Sequence, residues 1–189
     1  MLDKKERIFE AGRRLFLEQE YKTVNVAAIT QKAGVATGTF YNYYPSKEEL
    51  FIEIFNKENQ KAKKRIIESL DVEGTPIELM KSFLAQNKEI MRDTPILKEW
   101  HQEEISEKIR KYYQEGTEET HYFVRDVFTQ YLHKWRQEKK IRTDIDDEVI
   151  LSVFDALVYL ENHQEETGIP HFEQMIEVLA GFFISGLEQ

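Results

Sequence analysis

The stretch Gly34 to Leu50, GVATGTFYNYYPSKEEL, decides how the rest of the chain is read. It opens on a glycine, passes through two Thr, three Tyr and an Asn, and closes on Pro-Ser-Lys-Glu-Glu. Ser46 to Glu49 is a capping box, in which a Ser hydroxyl and a Glu carboxylate satisfy backbone N–H groups reciprocally and start a helix. Working back from Gly34, the segment Lys32-Ala-Gly-Val-Ala-Thr37 reads as a turn. Ala33 is small enough for close helix approach, Gly34 supplies the positive φ that a tight turn demands, and Val35 plugs the core. Before it, Asn25 caps a short helix that carries Val26, Ile29 and Ala33 on one face. Earlier still, Ile8, Ala11, Gly12, Leu15 and Phe16 recur at helical spacing and form one apolar stripe, with Arg7, Arg13 and Arg14 on other faces. Two short helices about a Gly-containing turn, packed on a longer one, make a helix-turn-helix.

Outward from this core the chain reads as helix throughout. Its eight Gly and four Pro are sparse, no internal repeat occurs, and no apolar alternation of period two persists long enough for a sheet. Thr75 to Glu78 is a second capping box with Pro76 at its first helical position, and Thr94-Pro95 opens another helix in the same way. Asp144 and Gly168-Ile169-Pro170 punctuate the C-terminal part. The predicted helices are 3–19, 25–33, 37–43, 46–70, 76–91, 95–115, 118–138, 145–163 and 171–187, an all-α chain with a helix-turn-helix domain over 1–47 and a helical domain over 48–189.

Composition narrows the function. The chain has 189 residues, no Cys, and no run approaching the ~20 apolar residues of a membrane span, so a soluble cytoplasmic protein is expected. The net charge of -9 argues against a polyanionic partner, but its distribution does not. Residues 1–47 hold eight Lys/Arg (Lys4, Lys5, Arg7, Arg13, Arg14, Lys22, Lys32, Lys47) against five acids, and the remainder holds eighteen against thirty. Thr37 to Tyr43 is too short to persist alone and is rich in groups suited to phosphates and base edges. Thr and Asn donate and accept, Thr methyls pack on thymine methyls, and Gly38 allows close backbone approach. Tyr44 reads as core, whereas Tyr41, Tyr43 and Lys47 read as contacts to DNA.

The segment IFEAGRRLFLEQEYKTVNVAAITQKAGVATGTFYNYYPSKEELF, residues 8–51, resembles the TetR family of transcriptional regulators, through its A-G-V turn, its G-T-x-Y segment and its Y-x-S-K-E-x-L run. The resemblance covers about a quarter of the chain. It implies an N-terminal DNA-binding domain, a larger ligand-binding and dimerisation domain, and repression relieved by a small molecule. It places DNA contacts at Asn25, Val26, Ala27, Thr37, Gly38, Thr39, Tyr41, Tyr43 and Lys47. Three departures stand out. Glu20 occupies a place where the family usually has Gly, which predicts a strained loop. Asn25 replaces the usual Thr. Ala36 stands where a capping Ser or Thr is common, so Thr37 is expected to take the cap.

A homodimer follows, because one recognition helix supplies too few contacts and two read half-sites about 34 to 36 Å apart. The last two helices are the most apolar, and Phe154, Leu157, Val158, Ile176, Leu179 and Phe183 are the expected interface unless those helices are buried within one chain. Ala156, Ala180, Gly181, Ser185 and Gly186 would permit close approach. For a small-molecule effector the candidates are Phe83, Trp100, His101, Glu104, Tyr113, His121, Tyr122 and Phe128, an aromatic set that serves either a pocket or a core. Lys61 to Arg65, KAKKR, reads as a solvated charge run. No cofactor, metal or catalytic group is expected. The other readings are a helical adaptor that has lost operator binding, and a metal-dependent all-α enzyme using His101, Glu104 and one of His121, His133 or His163. The chain contains no H-E-x-x-H, phosphate loop or G-x-S-x-G to support an enzyme.

Overall fold

The computed structural model describes residues 3–71, 73–101, 103–114, 119–162 and 164–188. Its order is α1 (Lys4–Glu18), α2 (Val26–Ala33), α3 (Thr37–Tyr41), α4 (Lys47–Ser69), α5 (Pro76–Asp93), a 3-10 turn (Leu97–His101), α6 (Glu103–Gln114), α7 (Glu119–Gln137), α8 (Asp147–Asn162), α9 (Gln164–Thr167) and α10 (Phe172–Leu187). An isolated antiparallel bridge joins Ile141 to Glu188. The chain falls into two units, Met1–Lys61 with Met91–Thr117, and Ala62–Ile90 with Glu118–Gln189.

Local chemistry sets the helix starts. The Asp3 carboxylate accepts from the Glu6 N–H at 2.8 Å to begin α1. At α5 the box is complete: Thr75 N–H and hydroxyl donate to Glu78 Oε2 at 2.9 and 2.8 Å, and Glu78 N–H donates back to Thr75 Oγ1 at 3.4 Å. At α4 Glu49 N–H donates to Ser46 Oγ at 3.3 Å. Two expectations are corrected. Thr94-Pro95 leads only into the 3-10 turn, with Lys98 N–H on the Thr94 carbonyl at 3.0 Å, so the helix expected over 95–115 is divided. The helix expected from residue 145 starts at Asp147 and is capped by Asp146, which accepts from Glu148 N–H at 2.8 Å, while Asp144 is held by Arg142.

The first unit is built on close approach and aromatic packing. A Cβ at Gly12 would lie 2.8 Å from Leu50 Cδ2, so α1 and α4 pack closely here and a larger residue would require the Leu50 side chain to shift. Phe51 meets Phe16 and Tyr21 edge-on, each with ring centroids 4.9 Å apart, and Ile8, Ile29, Phe40, Ile54 and Phe55 are buried around them. Side chains of this size each contribute roughly 1.5–3 kcal/mol when fully buried. In the second unit Phe128 stacks on Phe154 with centroids 4.0 Å apart, Phe83 packs against both, and Leu132, Trp135, Leu151 and Ile184 extend the core.

Candidate nucleic-acid interface

The turn between α2 and α3 is fixed from three directions. Gly34 sits at φ +64° in the left-handed region, where it carries no Cβ penalty. Gly34 N–H donates to the Gln31 carbonyl at 3.2 Å and Val35 N–H to the Thr30 carbonyl at 3.0 Å, the paired bonds that terminate a helix at a left-handed residue. The carbonyls left over are taken by Arg7. Its Nε and Nη2 donate to the Ala33 carbonyl at 3.0 and 2.5 Å, and Nη2 also donates to the Gly34 carbonyl at 2.6 Å. A guanidinium at the C-terminal end of α2 complements the helix dipole as well as its orphan acceptors. The start of α2 is closed by Asn25, whose Oδ1 accepts from Ala28 N–H at 2.9 Å.

This scaffold holds α3 by Phe40, which is fully buried, and turns the rest of the segment outward. Thr37 and Gly38 are exposed, Tyr41 and Tyr43 are 54% and 42% exposed, and among the described residues nothing lies within 4 Å of a Cβ placed at Gly38. Thr39 is half-buried. On α2 Ala27 is exposed and Val26 half-buried, beside the exposed cap Asn25. Ala36 occupies the cap of α3 without a side-chain bond, so Thr37 does not take that role and its hydroxyl remains on the outer surface. Tyr44 is buried, as read from the sequence.

Lys47 is placed differently from the other candidates. Its Nζ donates to the Tyr21 and Val24 carbonyls, each at 2.9 Å, and lies 3.9 Å from the centroid of the Tyr21 ring. Tyr21 is the hub of the loop before α2, a role that nothing in its neighbouring residues marks. Its hydroxyl donates to Glu48 Oε1 at 2.8 Å and its N–H to Glu99 Oε1 at 3.3 Å. Burial acts to raise the Glu48 carboxyl, but the bonds it accepts from its own backbone, Ser46 and Tyr21 hold it below the ordinary carboxylate value. The strain expected at Glu20 is absent. Among the described residues positive φ occurs at Gly34, Lys139, Gly168 and His171, and Glu20 is instead fixed by Thr23, whose N–H and hydroxyl donate to its carbonyl.

The basic surplus of residues 1–47 is largely consumed inside the unit. Lys5 pairs with Glu53, Arg13 with Glu58, and Lys32 with Glu18, while Arg7 and Lys47 serve backbone carbonyls. Lys4, Arg14 and Lys22 are exposed, and no carboxylate among the described residues pairs with them. The outward chemistry of this region is therefore mainly hydroxyl, amide and aromatic.

Of the effector candidates, Phe83 and Phe128 are buried against each other, with centroids 5.3 Å apart. The side chains of Trp100, His101, Glu104, Tyr113, His121 and Tyr122 lie outside the described residues, as does His163. His133 is exposed and faces Asp147 at 3.4 Å, and no group of three or more His, Cys, Asp or Glu is gathered for a metal among the described residues. No helix among the described residues is long and apolar enough to cross a membrane.

Of the interface candidates, Phe154, Leu157 and Ile176 are buried in the core of their own unit and cannot meet a partner's surface. Val158 and Phe183 are packed partly against that core. Leu179 is exposed, and with Val149, Val153 and Tyr159 of α8 and Val178 and Phe182 of α10 it belongs to the apolar residues left uncovered, Phe182 at 73% exposure. Val149, Val153 and Ala156 line an open groove of about 390 Å³ on α8. Gly181 and Gly186 have nothing described within 4 Å of a placed Cβ, so they serve no close packing within those residues.

Residues 8–54 match the family described as bacterial regulatory proteins, tetR family. The HTH-type transcriptional repressor KstR of Rhodococcus jostii is 31% identical over 103 residues, which cover 51% of this chain and 45% of that protein. Its namesake in Mycolicibacterium smegmatis is 26% identical over 97 residues, 51% of this chain and 48% of the relative. The chain spans about half the length of these curated relatives. In fold the whole chain is similar to the crystal structure of the transcriptional regulator FadR from Bacillus subtilis in complex with stearoyl-CoA, with a TM-score of 0.59 over 96% of this chain and 98% of that one, at 17% identity.

Proposed function

We propose that this chain, whose residues 8–54 match the tetR family of bacterial regulatory proteins, is a cytoplasmic dimeric transcriptional repressor of that family that leaves a palindromic operator when a small molecule binds. The observation that carries this reading is the outward segment Thr37 to Tyr43, held by a buried Phe40 and a bonded turn while its hydroxyl, amide and ring groups stay uncovered. The family is one of DNA-binding regulators rather than enzymes, and an adaptor that had lost operator binding would need this surface covered.

In the proposed roles, Thr37, Gly38, Thr39, Tyr41 and Tyr43 meet bases and phosphates, and Asn25, Val26 and Ala27 meet the backbone at the start of α2. Lys47 orients the loop that enters α2. Residues 1–47 are the reading module and 48–189 the effector and dimerisation module. The dimer face is the uncovered apolar stretch of α8 and α10, with Phe182, Leu179, Val153 and Tyr159 in place of the buried residues. Helix α4 starts directly after the reading segment and runs without a break to Ser69, so the effector acts by shifting α4 and thereby α3. Linkage then makes effector weaken operator binding, and operator weaken effector binding, by one factor.

The test is titration of a random duplex pool at rising salt with the wild type and a Thr37→Ala, Tyr41→Ala variant. Affinity should fall steeply with salt and drop in the variant. Equal retention of DNA by the two proteins would remove the assignment of this surface.

A further inference from the structure

The charge run Lys61 to Arg65 does not behave as one. Lys61 is 59% exposed and pairs with Glu58, and Lys64 is 67% exposed and faces Glu68. Lys63 between them is only 8% exposed. It shares the inward stripe of α4 with Ala62 and Ile66, both buried, and Leu70 just past the helix end is buried as well. Its Nζ donates to Oδ1 of Asn87, itself 1% exposed on the inward stripe of α5, and lies 5.4 Å from the centroid of the Phe83 ring. No carboxylate among the described residues pairs with it. Burial without a compensating anion pushes its pKa down to about 8, so it is still mostly an ammonium near neutral pH.

An ammonium carries three donors, and an amide oxygen with an aromatic face is a poor exchange for water. Removing a charge from water is recovered only by an opposite charge with good hydrogen bonds. A methionine or leucine at this place in the stripe would pack without that cost. The cation therefore fits a site that receives an anion more closely than it fits a purely apolar core.

We propose that Lys63 and Asn87 form the head-group subsite for an organic anion, a carboxylate or phosphate attached to an apolar body, and that this anion is the class of effector the protein senses. This rests on the reading of residues 48–189 as the effector-binding part. Lys63 supplies the charge, the Asn87 amide supplies a second polar contact, and the body of the ligand lies toward Phe83, Phe128 and Phe154. Those rings already pack on one another, so entry has to move α4 and α5 apart within the unit. A ligand can shift such an equilibrium only through its differential affinity for the two arrangements, and the ammonium provides it. The displaced helix is the one that begins at Lys47, immediately after the reading segment.

The experiment uses the full chain without DNA. Thermal melting and calorimetric titration are run on the wild type, Lys63→Met and Asn87→Leu, with sodium decanoate, decyl phosphate and decanol, each below its micellar concentration. Ligand-free Lys63→Met is expected to melt above the wild type, because a desolvated charge has been replaced by packing. At least one of the two anions is expected to raise the melting temperature of the wild type with concentration, decanol is not, and the better anion separates a carboxylate from a phosphate preference. Lys63→Met should bind that anion on the order of 30-fold or more weakly, and Asn87→Leu should bind it less well than wild type. A Lys63→Met protein that melts lower or fails to fold makes the lysine structural and overturns the proposal. So does equal binding of the anions by wild type and variant, or binding of neither anion by the wild type. Because DNA is absent, these outcomes are separate from operator binding: failure here leaves the regulator reading standing, and failure of operator binding leaves this site standing.

Discussion

Removing the guanidinium of Arg7 tests whether the turn that positions α3 is held from outside the helix-turn-helix itself. Three charge-assisted bonds join Arg7 to the carbonyls of Ala33 and Gly34, at 2.5 to 3.0 Å. A hydrogen bond to a charged group contributes about 1.5–3 kcal/mol when well formed, and a cation at a helix C-terminus about 0.3–1 kcal/mol. Here one fork serves two carbonyls and one of the bonds is exposed, so the bonds do not add, and Arg7→Ala should cost about 2–3 kcal/mol. Arg7→Lys keeps a point charge but loses the planar fork and should recover less than half. Gly34→Ala adds a second probe. At φ +64° an alanine costs roughly 1 kcal/mol, and its Cβ would lie 3.0 Å from Arg7 Nη2, which adds a steric cost. In the Arg7→Ala background only the backbone cost remains, so the pair should be less than additive by up to about 1 kcal/mol. Urea unfolding of the four proteins measures this, and DNA retardation of the folded variants reads the tilt of α3. An Arg7→Ala protein within about 0.5 kcal/mol of wild type would mean that Arg7 does not hold the turn.

Lys47→Met should cost about 2–3 kcal/mol, because two loop carbonyls lose a charged donor, yet leave the salt slope of DNA binding unchanged; a slope lower by about one would place the ammonium on a phosphate instead. Arg13→Met addresses pH. Burial acts to raise Glu58, but the bonds from Arg13 and Lys61 outweigh it and hold it below 4.5, so its contribution is complete above about pH 4.5 and is lost as pH falls through the lower folded-state value. The stability gap between wild type and Arg13→Met, roughly 1–2 kcal/mol near neutrality, should therefore shrink in acid, and urea melts between about pH 3 and 7 that showed a constant gap would contradict the pairing. Phe182→Asp should weaken the dimer by roughly 30-fold or more in sedimentation equilibrium while leaving the monomer fold intact, whereas Leu157→Ala should cost about 2–4 kcal/mol of stability. The opposite assignment of effects would exchange the roles of the two residues.

Much of this fold is written in short-range chemistry. The Thr75 and Ser46 caps, the left-handed Gly34 and the apolar stripe from Ile8 to Phe16 involve neighbours a few residues apart, and each stands where the sequence places it. What could not be read depends on partners distant in the chain. Arg7 and Ala33 are 26 residues apart, so a tally of basic residues counts Arg7 toward a basic surface when it is holding a helix end. The same tally places Lys63 in a solvated run, because nothing local marks Asn87 as its partner. Helix α8 is apolar on two faces, and periodicity does not say that Phe154 and Leu157 point inward while Val149 and Val153 point out. The aromatic residues were ambiguous for a related reason: Phe83 and Phe128 become core only because they meet Phe154.

In the proposed function, two copies of the Thr37–Tyr43 surface read one operator. Selection of bound duplexes from a random library, followed by sequencing, tests it most directly, beside the Thr37→Ala, Tyr41→Ala variant. The expected result is an enriched two-fold symmetric sequence with half-site centres about 10–10.5 base pairs apart, or a multiple of that, bound by the wild type and not by the variant. No enrichment at low salt, or the same sequence enriched by both proteins, would contradict it.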